Sequence, residues 1–202
     1  MSIVLVGSTS GSITLQEPAV AGTTVLDLPA TSGTLITTGT TGQVIASGAL
    51  PIGSVLQVAN FQTGTLATGS TAIPFDNTIP QITEGDEYMS LAFTPKFSTS
   101  KLKIDVVFQG TNASVSTSGF VVALFMVGTS NALAATFNST TNDSISNFLF
   151  THYMTSGTTS AITFKVRAGS SNGATTSFNG QSGSAKGGGV LASSITISEI
   201  AA

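Results

Sequence analysis

The tightest constraint in this sequence is a period of two. In "KLKIDVVF", residues 101–108, Leu102, Ile104, Val106 and Phe108 fall on one side of an extended chain, and Lys101, Lys103 and Asp105 on the other. Successive side chains of a strand point to opposite faces, so this is the pattern of a half-buried antiparallel strand. "SSITISEI", residues 193–200, repeats it, with Ile195, Ile197 and, by parity, Glu199 opposite Thr196, Ser198 and Ile200. "SVLQVANF", "EYMSLAFTPKF", "NFLFTHYMT" and "AITFKVRAG" are further runs of β type, bounded by Gly, Pro, Asn and Ser. No apolar pattern of i, i+3, i+4, i+7 is sustained, and the abundant Thr, Val, Ile, Ser and Gly are poor helix formers. An all-β antiparallel jelly-roll sandwich is therefore predicted for residues 51–202.

"GFVVALFMVG", residues 119–128, does not alternate; it is apolar on both faces. A central strand covered on one side by its own core and on the other by a neighbouring subunit would read this way. Charged residues make up 7% of the chain, against roughly 25% in ordinary soluble domains. So uncharged a surface is easier to understand if much of it is buried in an assembly. Self-assembly is expected, as the homotrimer that the resemblance given below implies, with Phe120, Val122, Leu124, Met126, Phe150 and His152 as candidate interface residues. Strand parity alone does not say which alternate set faces the partner.

Residues 1–50 are built differently. Short apolar runs, "SITLQ", "TVLDL", "TLITT" and "QVIAS", recur between the turn-rich separators "EPAVAG", "PATSG" and "TGTTG". No aromatic residue occurs before Phe61. Burying a few Leu and Val contributes less than ordering the chain costs, so these runs need neighbours. The segment reads as an attachment or stem region, or as a tail that orders on binding. The boundary is expected near "GALPIGS", where Pro51 and two glycines interrupt the pattern.

A net charge of −3 offers no basic face for nucleic acid, and no run approaches the length that spans a bilayer. The absence of cysteine removes disulfides and thiolate metal sites. "MSIVLVGSTSGS" lacks the basic region of a signal peptide, so synthesis in a cytoplasm without general secretory export is expected.

Four of the nine acidic residues, Asp76, Glu84, Asp86 and Glu87, crowd into residues 76–87. Three readings are open: a solvated turn, pairing with Lys96, Lys101 or Arg167, and a Ca²⁺ loop, although EF-hand spacing is absent. His152, the single histidine, shares strand parity with Phe148, Phe150 and Met154, which favours packing over catalysis. A G-x-S-x-G nucleophile motif is absent, and with no Trp and only two tyrosines sugar stacking has little to work with. The sequence predicts no enzyme and no cofactor. "GTNASVSTSG" and the glycine-rich "GQSGSAKGGGV" are expected to form exposed tip loops, with Asn112, Ser114, Gly183, Lys186 and Gly188 as candidate contact residues.

A resemblance sharpens these expectations. "IPFDNTIPQITEGDEYMSLAFTPKFSTSKLKIDVVF", residues 73–108, is similar to a segment common in surface and tail-fibre proteins of tailed-phage virions. "KVRAGSSNGATTSFNG" and "GGGVLASSITISEI" resemble the end of the same family, and "SGSITLQEPAVAGTTVLDLPATSGTLIT" resembles a module at the start of fibre-like proteins. The resemblance implies a virion structural protein whose C-terminal part is a trimeric jelly roll, broadly similar to tumour-necrosis-factor or C1q heads. It brings no catalytic residues. The resemblance does not say where on the virion such a protein sits; the modest length, with no long shaft, leans toward a trimeric capsid decoration (cement or head-fibre) protein on the virion surface. Residues 1–50 would grip a major capsid or tail protein, with no nucleic acid and no membrane as partner. The alternative is a short tail fibre whose head binds a host receptor or glycan.

Overall fold

The computed structural model describes residues 3–6, 12–15, 50–114, 117–140 and 143–202. The chain divides into two compact units, 1–44 and 45–202. In the first, β1 (Ile3–Val6) and β2 (Ser12–Leu15) form an antiparallel ladder that pairs Ile3 with Leu15 and Val6 with Ser12. The apolar runs "TVLDL", "TLITT" and "QVIAS" lie outside the described residues.

The second unit is an antiparallel β-sandwich. Its strands are β3 (Val55–Thr63), β4 (Ala67–Gly69), β5 (Asp86–Phe93), β6 (Lys101–Asn112), β7 (Ser118–Met126), β8 (Ala134–Thr140) and β9 (Ser146–Thr155). They are followed by β10 (Ile162–Ser170), β11 (Thr176–Phe178), β12 (Gly180–Gln181), β13 (Ser184–Ala185) and β14 (Ser193–Ile200). One sheet runs β5-β10-β7-β8; the other runs β3-β14-β6, with β9 on the far edge of β6. Beyond the end of β14, the short strands β11 and β4 carry that second sheet onward. The chain passes from sheet to sheet at nearly every connection, and only β7 and β8 are consecutive long strands within one sheet. This strand order is that of a jelly roll.

The alternation read from the sequence places the core. From β6, Leu102, Ile104, Val106 and Phe108 point inward, joined by Ile195 and Ile197 of β14 and Phe148 of β9. Facing them are Phe120, Val122 and Leu124 of β7, Phe164 and Val166 of β10, and Met89 and Phe93 of β5. The rings of Phe108, Phe120 and Phe148 meet edge to face at 5.1–6.1 Å between centroids, a favoured geometry for aromatic pairs. Glu199 also points inward and is fully buried.

The structure corrects one inference. β7 is buried on both faces, as its composition demands, but no neighbouring subunit is required. Residues 70–85, between β4 and β5, cross the outside of the β5-β10-β7-β8 sheet as a strap. Thr71 donates its N–H and hydroxyl to the Asp86 carboxylate at 2.9 and 2.8 Å. The Gly85 N–H reaches the Ala72 carbonyl at 3.0 Å, and Ala132 N–H reaches that of Pro80 at 2.9 Å. Arg167, on the outer face of β10, donates to the carbonyls of Glu84 and Gly85 at 2.8 and 2.6 Å. The crossing is close enough to need glycine beneath it. A Cβ on Gly169 would lie 2.4 Å from the Thr71 carbonyl, and one on Gly119 would lie 2.5 Å from the Phe75 ring. Val121, Ala123 and Phe125, the outward set of β7, are consequently buried within one chain.

Candidate functional site: an uncovered edge and a cleft under the strap

The acidic cluster of the sequence separates in space. Asp76 accepts from the N–H and hydroxyl of Thr78, which hold its carboxyl below the usual range. Glu84 accepts from the Gln81 N–H at 2.9 Å, and Asp86 clamps Thr71. Glu87 pairs with Lys165 at 2.8 Å and stands 3.7 Å from Arg167. Each carboxylate thus fixes one point of the strap or of the neighbouring β5 edge. Among the described residues no three His, Asp or Glu gather into a group that could hold a metal ion. Pairing with Arg167 was one of the readings open in the sequence; Lys165 as the closer partner was not among them.

The six candidate interface residues fall into two groups. Phe120, Val122 and Leu124 are fully enclosed in the sandwich of a single chain, so they are not surface. Met126, Phe150 and His152 point toward the same core from its open side and are only half-buried. In β9 the inward set Phe148, Phe150, His152 and Met154 pairs with Phe108, Val106, Ile104 and Leu102 of β6. Burial lowers the pKa of His152, favouring the neutral imidazole.

β9 is also the edge of its sheet. It pairs with β6 along one side, and among the described residues no strand pairs with its other side. Ten residues long, it contains no Lys, Arg, Asp, Glu, Pro or Gly. Its outward side chains include Leu149, 70% exposed, and Tyr153, 57% exposed. Edge strands are ordinarily protected by charge, proline, bulges or shortness, and β9 has none of these. β8, the edge of the opposite sheet on the same side of the sandwich, is likewise uncharged. The opposite edge, β5, carries Asp86 and Glu87 and a register shift at Arg167.

The tip residues divide as well. Gly183, Lys186 and Gly188 are exposed, in a loop where Gly187, Gly188 and Gly189 all adopt positive φ. Asn112 and Ser114, expected in an exposed loop, are buried. The reason is a closed ring of hydrogen bonds. Asn112 Nδ2 donates to Ser118 at 2.6 Å, and Ser118 meets Ser170 at 3.5 Å. Ser170 donates to Asn172 Oδ1 at 2.6 Å, and Asn172 Nδ2 reaches Ser114 at 2.9 Å. The Ser114 N–H returns to Asn112 Oδ1 at 3.1 Å. Buried amides require such partners, and here they fasten the β6–β7 connection to β10.

One feature had no signal in the sequence. Residues 74–80, the apex of the strap, stand away from β7 and β8 and leave adjoining hollows of about 470, 410 and 370 Å³. Phe75 and Phe137 meet there with ring centroids 4.8 Å apart and planes at 64°. Phe137 lies on β8, a strand absent from the sequence reading, and the strap that brings Phe75 to it is a long-range contact.

No protein-family model matches the sequence, and no curated protein does. Solved structures give partial likenesses. The VP2 subviral particle of infectious bursal disease virus aligns with TM-score 0.41 and 11% identity over 73% of this chain and 34% of that one. Dimeric latent PorU from Porphyromonas gingivalis aligns with TM-score 0.35 and 10% identity over 75% and 14%. Infectious bursal disease virus Gx strain aligns with TM-score 0.33 and 13% identity over 98% and 45%. The chain spans about a third of the length of the first of these. At this level of similarity no activity, partner or assembly is transferred.

Proposed function

We propose that this chain is a structural surface protein of a tailed-phage virion. In this reading it is a homotrimeric capsid decoration protein that is anchored through residues 1–50 and displays the sandwich. The observation that carries the assembly part is β9: a ten-residue edge strand without charge, with half-buried Phe150, His152 and Met154 on one face and exposed Leu149 and Tyr153 on the other. An edge of this kind persists in solution when a partner covers it. A closed ring of identical chains would cover every copy at once, whereas an open series would lead to fibres. The phage part rests on the resemblance of residues 73–108 and of the chain's end to virion surface proteins. The low charge and the jelly-roll order agree with it as a fold-level analogy.

A second reading, a short tail fibre whose head meets a host receptor, is favoured by the exposed loop at 182–190 and by the strap cleft. Immunogold electron microscopy of intact virions, with antibodies against residues 51–202, separates the two. Gold over the head is the expected result, gold confined to the tail supports the fibre, and unlabelled accessible particles overturn both. Light scattering of the full chain tests the trimer, which a monomeric mass would refute.

A further inference from the structure

We propose that the cleft under the strap is a binding site for a neutral sugar ring. The side chains that form it belong to the strap and to strands β7 and β8 of one chain, whatever assembly surrounds them.

The strap is anchored at its base by Thr71 on Asp86 and by Arg167 on Glu84 and Gly85, and at the end of its apex by the Ala132 N–H on the Pro80 carbonyl. The hollows it leaves fall in the size range of small-molecule sites. The hollow of about 370 Å³ has an apolar floor, Val121 and Ala135, and its wall is the Phe75–Phe137 pair. These rings are 46% and 62% exposed, while Phe93, Phe108, Phe120, Phe125, Phe148, Phe164 and Phe178 are all buried. An edge-to-face pair offers an incoming molecule one open ring face beside a ring edge. That surface suits the C–H face of a pyranose. The Phe75 ring is seated directly on Gly119, where any Cβ would displace it.

The rim supplies polar groups. Asp76 Oδ1 accepts both the N–H and the hydroxyl of Thr78, at 2.7 and 2.6 Å. That arrangement fixes the carboxylate and leaves Oδ2 without a hydrogen-bond partner among the described residues. Asn77 adds an amide at the same hollow, and Thr117 and Ser139 add two hydroxyls in the adjoining one, which Asp76 also lines. Among the described residues no Lys, Arg or His lines any of the three hollows. A carboxylate with no cation beside it disfavours phosphates and acidic sugars, and it accepts strongly from sugar hydroxyls. Several neutral donors and acceptors around a single exposed carboxylate also fit a polyhydroxyl ligand better than an organic cation, which binds best where aromatic faces enclose it.

Saturation-transfer NMR on the full chain tests this. The probes are the methyl glycosides of glucose, galactose and N-acetylglucosamine, with N-acetylneuraminic acid and tetramethylammonium as charged counterparts. Transfer to the ring protons of at least one methyl glycoside is expected, and none to the acidic sugar. Phe137→Ser, at an exposed position, should weaken that binding about tenfold while the circular dichroism stays unchanged. Asp76→Asn keeps the acceptor that Thr78 needs and should weaken binding severalfold. Absence of transfer to every methyl glycoside overturns the proposal. So does transfer to tetramethylammonium alone, or glycoside binding that is equal in the wild type and both folded variants.

Discussion

β7 and β9 both feed the same core: Phe120 and Phe148 meet edge to face at 5.1 Å. Their outer faces have opposite fates. Val121, Ala123 and Phe125 of β7 are buried within the single chain, on the face that residues 70–85 cross, whereas Leu149 and Tyr153 of β9 stay exposed. Apolarity on both faces of a strand therefore says that the second face is to be covered, but not by what. The cover is a long-range property of the chain, set by where a connection happens to cross.

The largest effect that could break this contrast is at Phe125. If the strap of the same chain buries it, Phe125→Ala should cost about 3–5 kcal/mol in urea unfolding, at any protein concentration. A cost below about 1 kcal/mol in dilute solution would mean that its burial depends on something outside the chain. Next is the crossing itself. Gly169→Ala places a Cβ against the Thr71 carbonyl, a backbone atom that cannot turn aside. Overpacking of this kind should cost about 1–3 kcal/mol. It should also speed hydrogen exchange at the Gly85 N–H, which is bonded to Ala72. Unchanged exchange there would show that the strap does not need the close approach.

How much of this was legible beforehand follows the range of each interaction. The period-two runs of β6 and β14 place Leu102, Ile104, Val106, Phe108, Ile195 and Ile197 inward directly, because side-chain direction in a strand is a local matter. Parity puts Glu199 on the face of Ile195 and Ile197, and it is buried there although carboxylates are rare in cores. What could not be read is what each face meets. Asn112 and Ser114 look like loop-tip residues, since Asn and Ser favour turns; only the ring through Ser118, Ser170 and Asn172 shows why they are buried. β8, "AATFNST", lacks clean alternation, so neither the strand nor the Phe75–Phe137 cleft beside it is legible in the sequence.

Glu199 extends the comparison to a polar group on an inner face. Its carboxylate accepts from the N–H groups of Lys96 and Phe97 at 2.9–3.0 Å, from the Ser100 hydroxyl at 2.6 Å and from Gln57 at 2.5 Å. It thereby pins the β5–β6 connection to β14 and β3. Burial pushes its pKa up, but these donors together outweigh that and hold it below the ordinary 4.5. A carboxyl whose pKa is lower folded than unfolded contributes stability that is present above pH 4.5 and lost as pH falls through the folded value. The urea midpoint should therefore drop on acidification below that point, and Glu199→Gln should show a lower midpoint at pH 7 with a shallower acid loss. Asp76 and Asp105, whose pKa values are also lowered, supply the remainder. Parallel acid profiles for variant and wild type would remove Glu199 from this role.

The smallest effect on the fold, and the most telling for assembly, is expected on the exposed face of β9. Leu149→Lys adds a charge to an edge that lacks one, at a side chain 70% exposed, so unfolding of the isolated chain should change by no more than about 0.5 kcal/mol. If β9 is where copies meet, the same substitution should convert the oligomer to monomer in light scattering, because an unpaired charge at such an edge blocks strand and face contacts alike. The half-buried His152 adds a pH dependence of known sign. Burial already lowers its pKa below 6.5, so an interface that buried it further would favour the neutral ring. Assembly should then weaken as pH falls below that value and tighten above it. An oligomer indifferent both to Leu149→Lys and to pH between 7.5 and about 5.5 would place the contact elsewhere, with β3, the long uncharged strand at the opposite edge of that sheet, as the next face to test.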